Sequence, residues 1–126
     1  MIAVGILIAT IASFVASAVL YALPPVSRLV ARTSTPRPGI TLPVQMLSVV
    51  ARSLFAALLV AGLMTAAGWH GPAAGALLGL ALSVLPLILL FGGVVHENTA
   101  ISAAGVHLLD WIIKLTLIGV LVGLFV

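Results

Sequence analysis

Residues 2–23 read IAVGILIATIASFVASAVLYAL, 22 positions with no charge and no proline. At about 1.5 Å per residue a helix of that length reaches about 33 Å, enough to cross the hydrocarbon core of a bilayer. The rest of the chain has the same character. Of its 126 residues 63% are hydrophobic and 6% charged, where an ordinary soluble domain carries about 25% charged residues. Mean hydropathy is +1.43, which also excludes a disordered, polar chain. An integral membrane protein remains. One span takes about 20 apolar residues, so a chain of 126 residues holds four or five at most and leaves no room for a soluble catalytic domain. Ala16-Ser17-Ala18 has the small-residue pattern of a signal-peptide cleavage site. No Lys or Arg precedes the run, and the run is longer than a signal core, so a retained span is expected.

Pro24-Pro25 ends this first helix and opens a polar connector, residues 24–43, which holds Arg28, Arg32 and Arg37. Arg28 and Arg32 are four apart and suit one face of a short interfacial helix. Pro36-Arg37-Pro38-Gly39 reads as turn or extended chain. A second helix is expected from near Thr41, with Pro43 in its first turn and a span over residues 44–67. Its strongly apolar part is Leu54 to Ala67 only, so Arg52 falls inside the span and snorkels back towards the basic side. Gly68-Trp69-His70-Gly71-Pro72 is a tight loop, with Trp69 at the membrane interface. The third span, residues 73–95, carries Gly75 and Gly79 in a small-xxx-small spacing that permits close helix contact. Pro86 near its middle predicts a kink. After His96-Glu97-Asn98-Thr99, Asn98 or Thr99 is expected to cap a fourth helix, spanning residues 100–125, with Glu97 at the positive end of its dipole.

The expected fold is therefore all-α, a single membrane domain over 1–126 formed as an up-down bundle of four transmembrane helices. Arg28, Arg32, Arg37 and Arg52 surround the first connector, while the second has no charged residue. The positive-inside rule then puts the first and third connectors in the cytoplasm and both termini outside. The same rule accounts for the net charge of +3 without a nucleic-acid partner; the expected partner is the lipid bilayer of the cell membrane.

The segment richest in chemistry is His107-Leu-Leu-Asp110-Trp111-Ile-Ile-Lys114. His107, Asp110, Trp111 and Lys114 recur at i,i+3 and i,i+4 and so share a helix face. Counted from Asn98, Asp110 lies about 18 Å into the helix and Lys114 about 24 Å. An ionisable group at that depth costs at least about 2.5 kcal/mol, so the face is expected to turn into the bundle or into a protein partner. One reading is a proton or cation relay, or a buried binding site, with His107 as the switchable group. The other, preferred on sequence, is an Asp110–Lys114 pair that neutralises itself and fixes packing or partner choice. Arg52 and Glu97 fall near the same side and form a candidate ion pair across helices two and four, with independent exposure of each as the slightly preferred alternative.

Metal and cofactor sites are not expected. Cysteine is absent, His70 and His96 fall in loops on opposite sides, and His107 with Asp110 supplies only two ligands where three or four are usual. Haem would need a second axial histidine at the depth of His107. No nucleophile elbow, His-Glu-x-x-His or phosphate loop occurs, so the chain is expected not to be an enzyme.

The whole pattern resembles the small bacterial membrane proteins grouped as domain of unknown function family 1761. The likeness rests on the aromatic-proline turn Tyr21-Ala-Leu-Pro24-Pro25, the long connector after it, the glycine-rich third helix with Gly75-Ala-Leu-Leu-Gly79, and the final helix after His96-Glu97-Asn98. Family members often carry Trp-Tyr where this chain has Leu20-Tyr21. The resemblance implies a four-span protein of a bacterial inner membrane and brings no activity or site residues with it. On sequence, the expected function is that of a non-enzymatic accessory protein or complex subunit, in a homo-oligomer or larger membrane complex. The alternative is a small oligomeric transporter or channel for protons, cations or a small cationic solute.

Overall fold

A computed structural model describes residues 1–126 and contains helices and connectors only: α1 (Ile2–Ala22), α2 (Pro24–Thr33), α3 (Leu42–Ala67), α4 (Gly71–Leu82), α5 (Val84–His96) and α6 (Ile101–Gly123). Four stretches are long and apolar enough to cross a membrane: α1, α3, α4 with α5, and α6. The protein is a bundle of these four spans.

Local chemistry sets the boundaries. α1 stops at Leu23, which takes extended backbone ahead of Pro24, as a residue before proline prefers. α2 then starts on Pro24-Pro25, whose missing N–H groups fall in the unbonded first turn. It carries Arg28 and Arg32 and buries no residue. α3 ends at Gly68 in the left-handed conformation, φ 66°. There the Trp69 N–H donates to the Met64 carbonyl at 2.9 Å and the Gly68 N–H to Thr65 at 3.3 Å. This paired closure satisfies carbonyls that the helix end would leave open, and it favours glycine.

The third span is interrupted at one residue, with helical bonds on either side of it: the Ser83 N–H donates to the Gly79 carbonyl and the Leu87 N–H to the Ser83 carbonyl. α4 and α5 meet at Ser83, one turn before the expected kink at Pro86. The proline ring clashes with the carbonyl four residues back, Leu82, and offers that carbonyl no N–H, so the damage appears upstream of the proline. The Ser83 hydroxyl donates to the Gly79 carbonyl at 2.9 Å. A second correction concerns the last helix. Asn98 takes left-handed backbone, φ 55°, and the N–H groups of Glu97 and Thr99 both donate to the Gly93 carbonyl, at 3.0 and 3.1 Å. These residues close α5. Neither Asn98 nor Thr99 caps α6, whose N-cap position is Ala100 with no side-chain bond.

α6 is the hub, in contact with every other span. It runs antiparallel to α1, with Ser17 beside Asp110 and Gly5 beside Phe125. It also runs antiparallel to α4, where a Cβ at Gly75 would overlap the Gly119 carbonyl and one at Gly79 the Leu115 carbonyl. The close contact expected of Gly75 and Gly79 is therefore made with α6, and it depends equally on Gly119 and Gly123. A dry core of Ala9, Ala57, Val60, Ala61, Met64, Ile118 and Val122 fills the half of the bundle that carries the termini. At that end His70 Nδ1 lies 3.2 Å from the Val126 carbonyl. The connector half is looser. α5 buries none of its residues, and its backbone does not approach α3.

Candidate functional site

The polar face of α6 turns inward in the connector half. His107 lies about 9 Å from the start of the helix, Asp110 about 14 Å and Lys114 about 20 Å, a series descending towards the middle of a 23-residue helix. Lys114 is 1% and Asp110 6% exposed. Lys114 Nζ stands 3.6 Å from Asp110 Oδ2. The second carboxylate oxygen, Oδ1, accepts a hydrogen bond of 2.5 Å from the Ser17 hydroxyl of α1. One turn nearer the connector, the Tyr21 hydroxyl and His107 Nδ1 are 2.7 Å apart. With Nδ1 unprotonated the phenol is the donor. Buried charges persist when they are paired and their remaining valences are hydrogen-bonded, and Asp110 meets both conditions inside a single chain.

Trp111 receives two cations. Arg52 Cζ of α3 lies 5.1 Å from its ring centroid and Lys114 Nζ 4.9 Å, both within cation–π range. The Lys114–Asp110 pair is the chain's one salt bridge, so Arg52 has no carboxylate partner. The candidate pair of Arg52 with Glu97 does not form. Arg52 lies at the level of Trp111 and Leu90, whereas Glu97 caps the end of α5, and the α3 and α5 backbones do not approach each other.

These side chains line a partly open cavity of about 490 Å³: Ser17 and Tyr21 from α1, Arg52 from α3, and His107, Asp110, Trp111 and Lys114 from α6, with Phe14, Met46 and Leu90 among its apolar walls. A second cavity of about 580 Å³ adjoins it between α3 and α5, with Phe55, Leu59, Leu85, Pro86 and Leu89 in its lining. Arg52, Leu90 and Trp111 belong to both. No third metal-ligating side chain joins His107 and Asp110, which turn to different partners on α1.

Sequence reasoning brought together His107, Asp110, Trp111 and Lys114 and missed Ser17 and Tyr21. A signal was present. Thr10, Ser13, Ser17 and Tyr21 recur at intervals of three and four in an otherwise apolar helix, which makes one stripe. The first two return their hydroxyls to their own helix, Thr10 to Ile6 at 2.8 Å and Ser13 to Thr10 at 3.1 Å. The last two cross to α6.

The family described as protein of unknown function (DUF1761) matches residues 4–123, and the chain belongs to it. No curated protein and no solved structure matches the chain.

Proposed function

We propose, with membership of the DUF1761 family as the starting point, that this small membrane protein is a non-enzymatic transporter that handles protons at the His107–Asp110–Lys114 face. The observation that carries the reading is the inward turn of that face. Asp110 is satisfied by Ser17 and Lys114 of the same chain, and the polar groups line a cavity instead of a surface awaiting a partner helix. That arrangement supports the transport alternative over the accessory-subunit expectation. Arg52 and Lys114 outnumber Asp110 around the cavity, which counts against a cationic solute, and the proton reading rests on His107, Asp110 and Lys114 as groups that can exchange a proton. The cavity stops against the dry core of the termini half. Transport then requires that core to open in alternation with the connector end, as in carriers whose sites lie near the bilayer midplane.

The test is flux in reconstituted liposomes under an imposed pH gradient. The wild-type protein is expected to dissipate the gradient and Asp110→Asn to lose most of that activity. A wild-type protein without flux, or an Asp110→Asn protein with undiminished flux, overturns the reading. The accessory-subunit reading draws support from α5, which buries no residue within the chain and leaves a face for a second copy or a larger complex. A stoichiometric partner on purification, together with absent flux, favours it. For orientation, the four arginines around the first connector support a topology with that connector and the third in the cytoplasm and both termini outside. Ser34→Cys is then protected from an impermeant thiol reagent in intact cells and Trp69→Cys is labelled; the opposite pattern reverses the topology.

A further inference from the structure

We infer that the cavity between α3 and α5 is the acyl-chain half of a site for an anionic lipid, whose head group sits against Arg52. This goes beyond the proton reading: it uses Arg52 and the α3–α5 groove, and it stands whether or not Asp110 supports flux.

Charge points to an anion. Arg52 lies about 15 Å along α3 from Leu42, inside a span, with no carboxylate partner in the chain. With Lys114 neutralised by Asp110, Arg52 leaves the joint cavity one positive charge in excess. A guanidinium presents a fork of N–H donors that fits a carboxylate or phosphate better than an ammonium does. Its central carbon lies 5.1 Å from the Trp111 ring centroid, and no side-chain hydrogen bond within the chain takes up its N–H donors. An anionic head placed there offsets the cost of holding a cation at membrane depth.

Shape points to a lipid rather than a free anion. From Arg52 the groove continues along Phe55 and Leu59 on α3 and along Leu89 and Leu85 on α5. On both helices this direction leads away from the connector end towards the break at Ser83, near the middle of the third span. A lipid with its head at Arg52 and its tail along this groove keeps the direction of the leaflet on that side, with its head drawn below the interface to the depth of Trp111. The groove is open laterally because the α3 and α5 backbones do not approach each other, so a lipid enters from the bilayer without crossing the bundle. Arg28 and Arg32 of α2 lie at the same end and add to the positive potential that attracts acidic head groups.

The experiment uses the purified full chain in mild detergent, with lipid retention read by native mass spectrometry. Phosphatidylglycerol and phosphatidylcholine of identical acyl chains are offered in competition, and soluble glycerol phosphate is added separately. One phosphatidylglycerol per chain is expected to be retained with a preference of about tenfold or more over phosphatidylcholine, equivalent to about 1.4 kcal/mol. Arg52→Gln should remove the preference, Arg52→Lys should weaken it, and Leu59→Trp, which fills the groove, should reduce retention of both lipids. Equal retention of the two lipids by the wild-type protein overturns the inference. So does a preference that survives both Arg52→Gln and Leu59→Trp, or displacement of the lipid by glycerol phosphate at equal concentration. Arg52→Lys keeps the charge and serves where the Gln variant fails to fold. Lipid preference and proton flux are measured on the same preparation. Loss of preference with flux intact removes this inference alone, and absent flux with preference intact removes the proton reading alone.

Discussion

α4 and α5 are two halves of one span, and both pack on α6, in opposite ways. α4 brings Gly75 and Gly79 against the carbonyls of Gly119 and Leu115, backbone on backbone. α5 presents Leu85, Pro86 and Leu89 and buries nothing. In lipid there is no hydrophobic drive between helices, so close approach depends on small residues, and bulky ones hold helices apart. The break at Ser83 lets the two regimes coexist in one span. The close half leaves no space between α4 and α6. The wide half leaves the two cavities, and the polar residues are found there.

The largest effect is expected where the comparison is sharpest. Gly75→Ala drives a methyl group into the Gly119 carbonyl. Because backbone must move, the loss should reach or exceed the upper end of the about 1–3 kcal/mol typical of overpacking. Gly92→Ala on α5 meets nothing within 4 Å and gains the roughly 1 kcal/mol helix propensity of alanine over glycine. Thermal unfolding in detergent should separate the two variants widely and with opposite sign; equal shifts would break the contrast between the halves.

Next in size is the charge pair. Lys114→Met and Asp110→Leu each strand a buried charge or its partner, a change worth up to about 3–5 kcal/mol in soluble proteins and less where the membrane reference state finds other partners. The double variant should recover most of either loss. If the two losses add, the residues are uncoupled, and Asp110 is held mainly by Ser17. The smallest effect is expected of Tyr21→Phe. It removes one interhelical hydrogen bond, to His107, of a kind that averages about 0.6 kcal/mol in membrane bundles. A shift several times larger would mean that Tyr21 organises the whole wide half rather than one contact.

What could be read from the sequence divides along a physical line. Features carried by a single helix were legible. The apolar runs gave the four spans, the i,i+4 spacing gave Asp110 with Lys114, and Pro86 announced a disturbance, although its ring acts on the carbonyl four residues earlier and so moves the break to Ser83. Features that depend on how two helices face each other were not. Being near the same side made Arg52 and Glu97 a candidate pair beside the slightly preferred reading of independent residues; pairing needs the two helices to come close, and the α3 and α5 backbones do not. Ser17 and Tyr21 lay on a visible stripe, yet nothing in the sequence said which helix that stripe would meet. Asn98 was misassigned for a local reason: its left-handed backbone ends α5 instead of starting α6.

Asp110 and Lys114 belong to the same helix, and this bears on how the protein is made. A charge whose counter-charge sits one turn away carries its compensation with it, so α6 can leave the translocon for lipid as a net-neutral segment. α3 has no such provision: three and four residues from Arg52 stand Val49, Ser48, Phe55 and Ala56. It must rely on the long arginine side chain reaching back towards the interface while the segment inserts. The last span therefore does not wait for an earlier one to enter the bilayer, and the bonds from Ser17 and Tyr21 belong to the later stage at which inserted helices find one another.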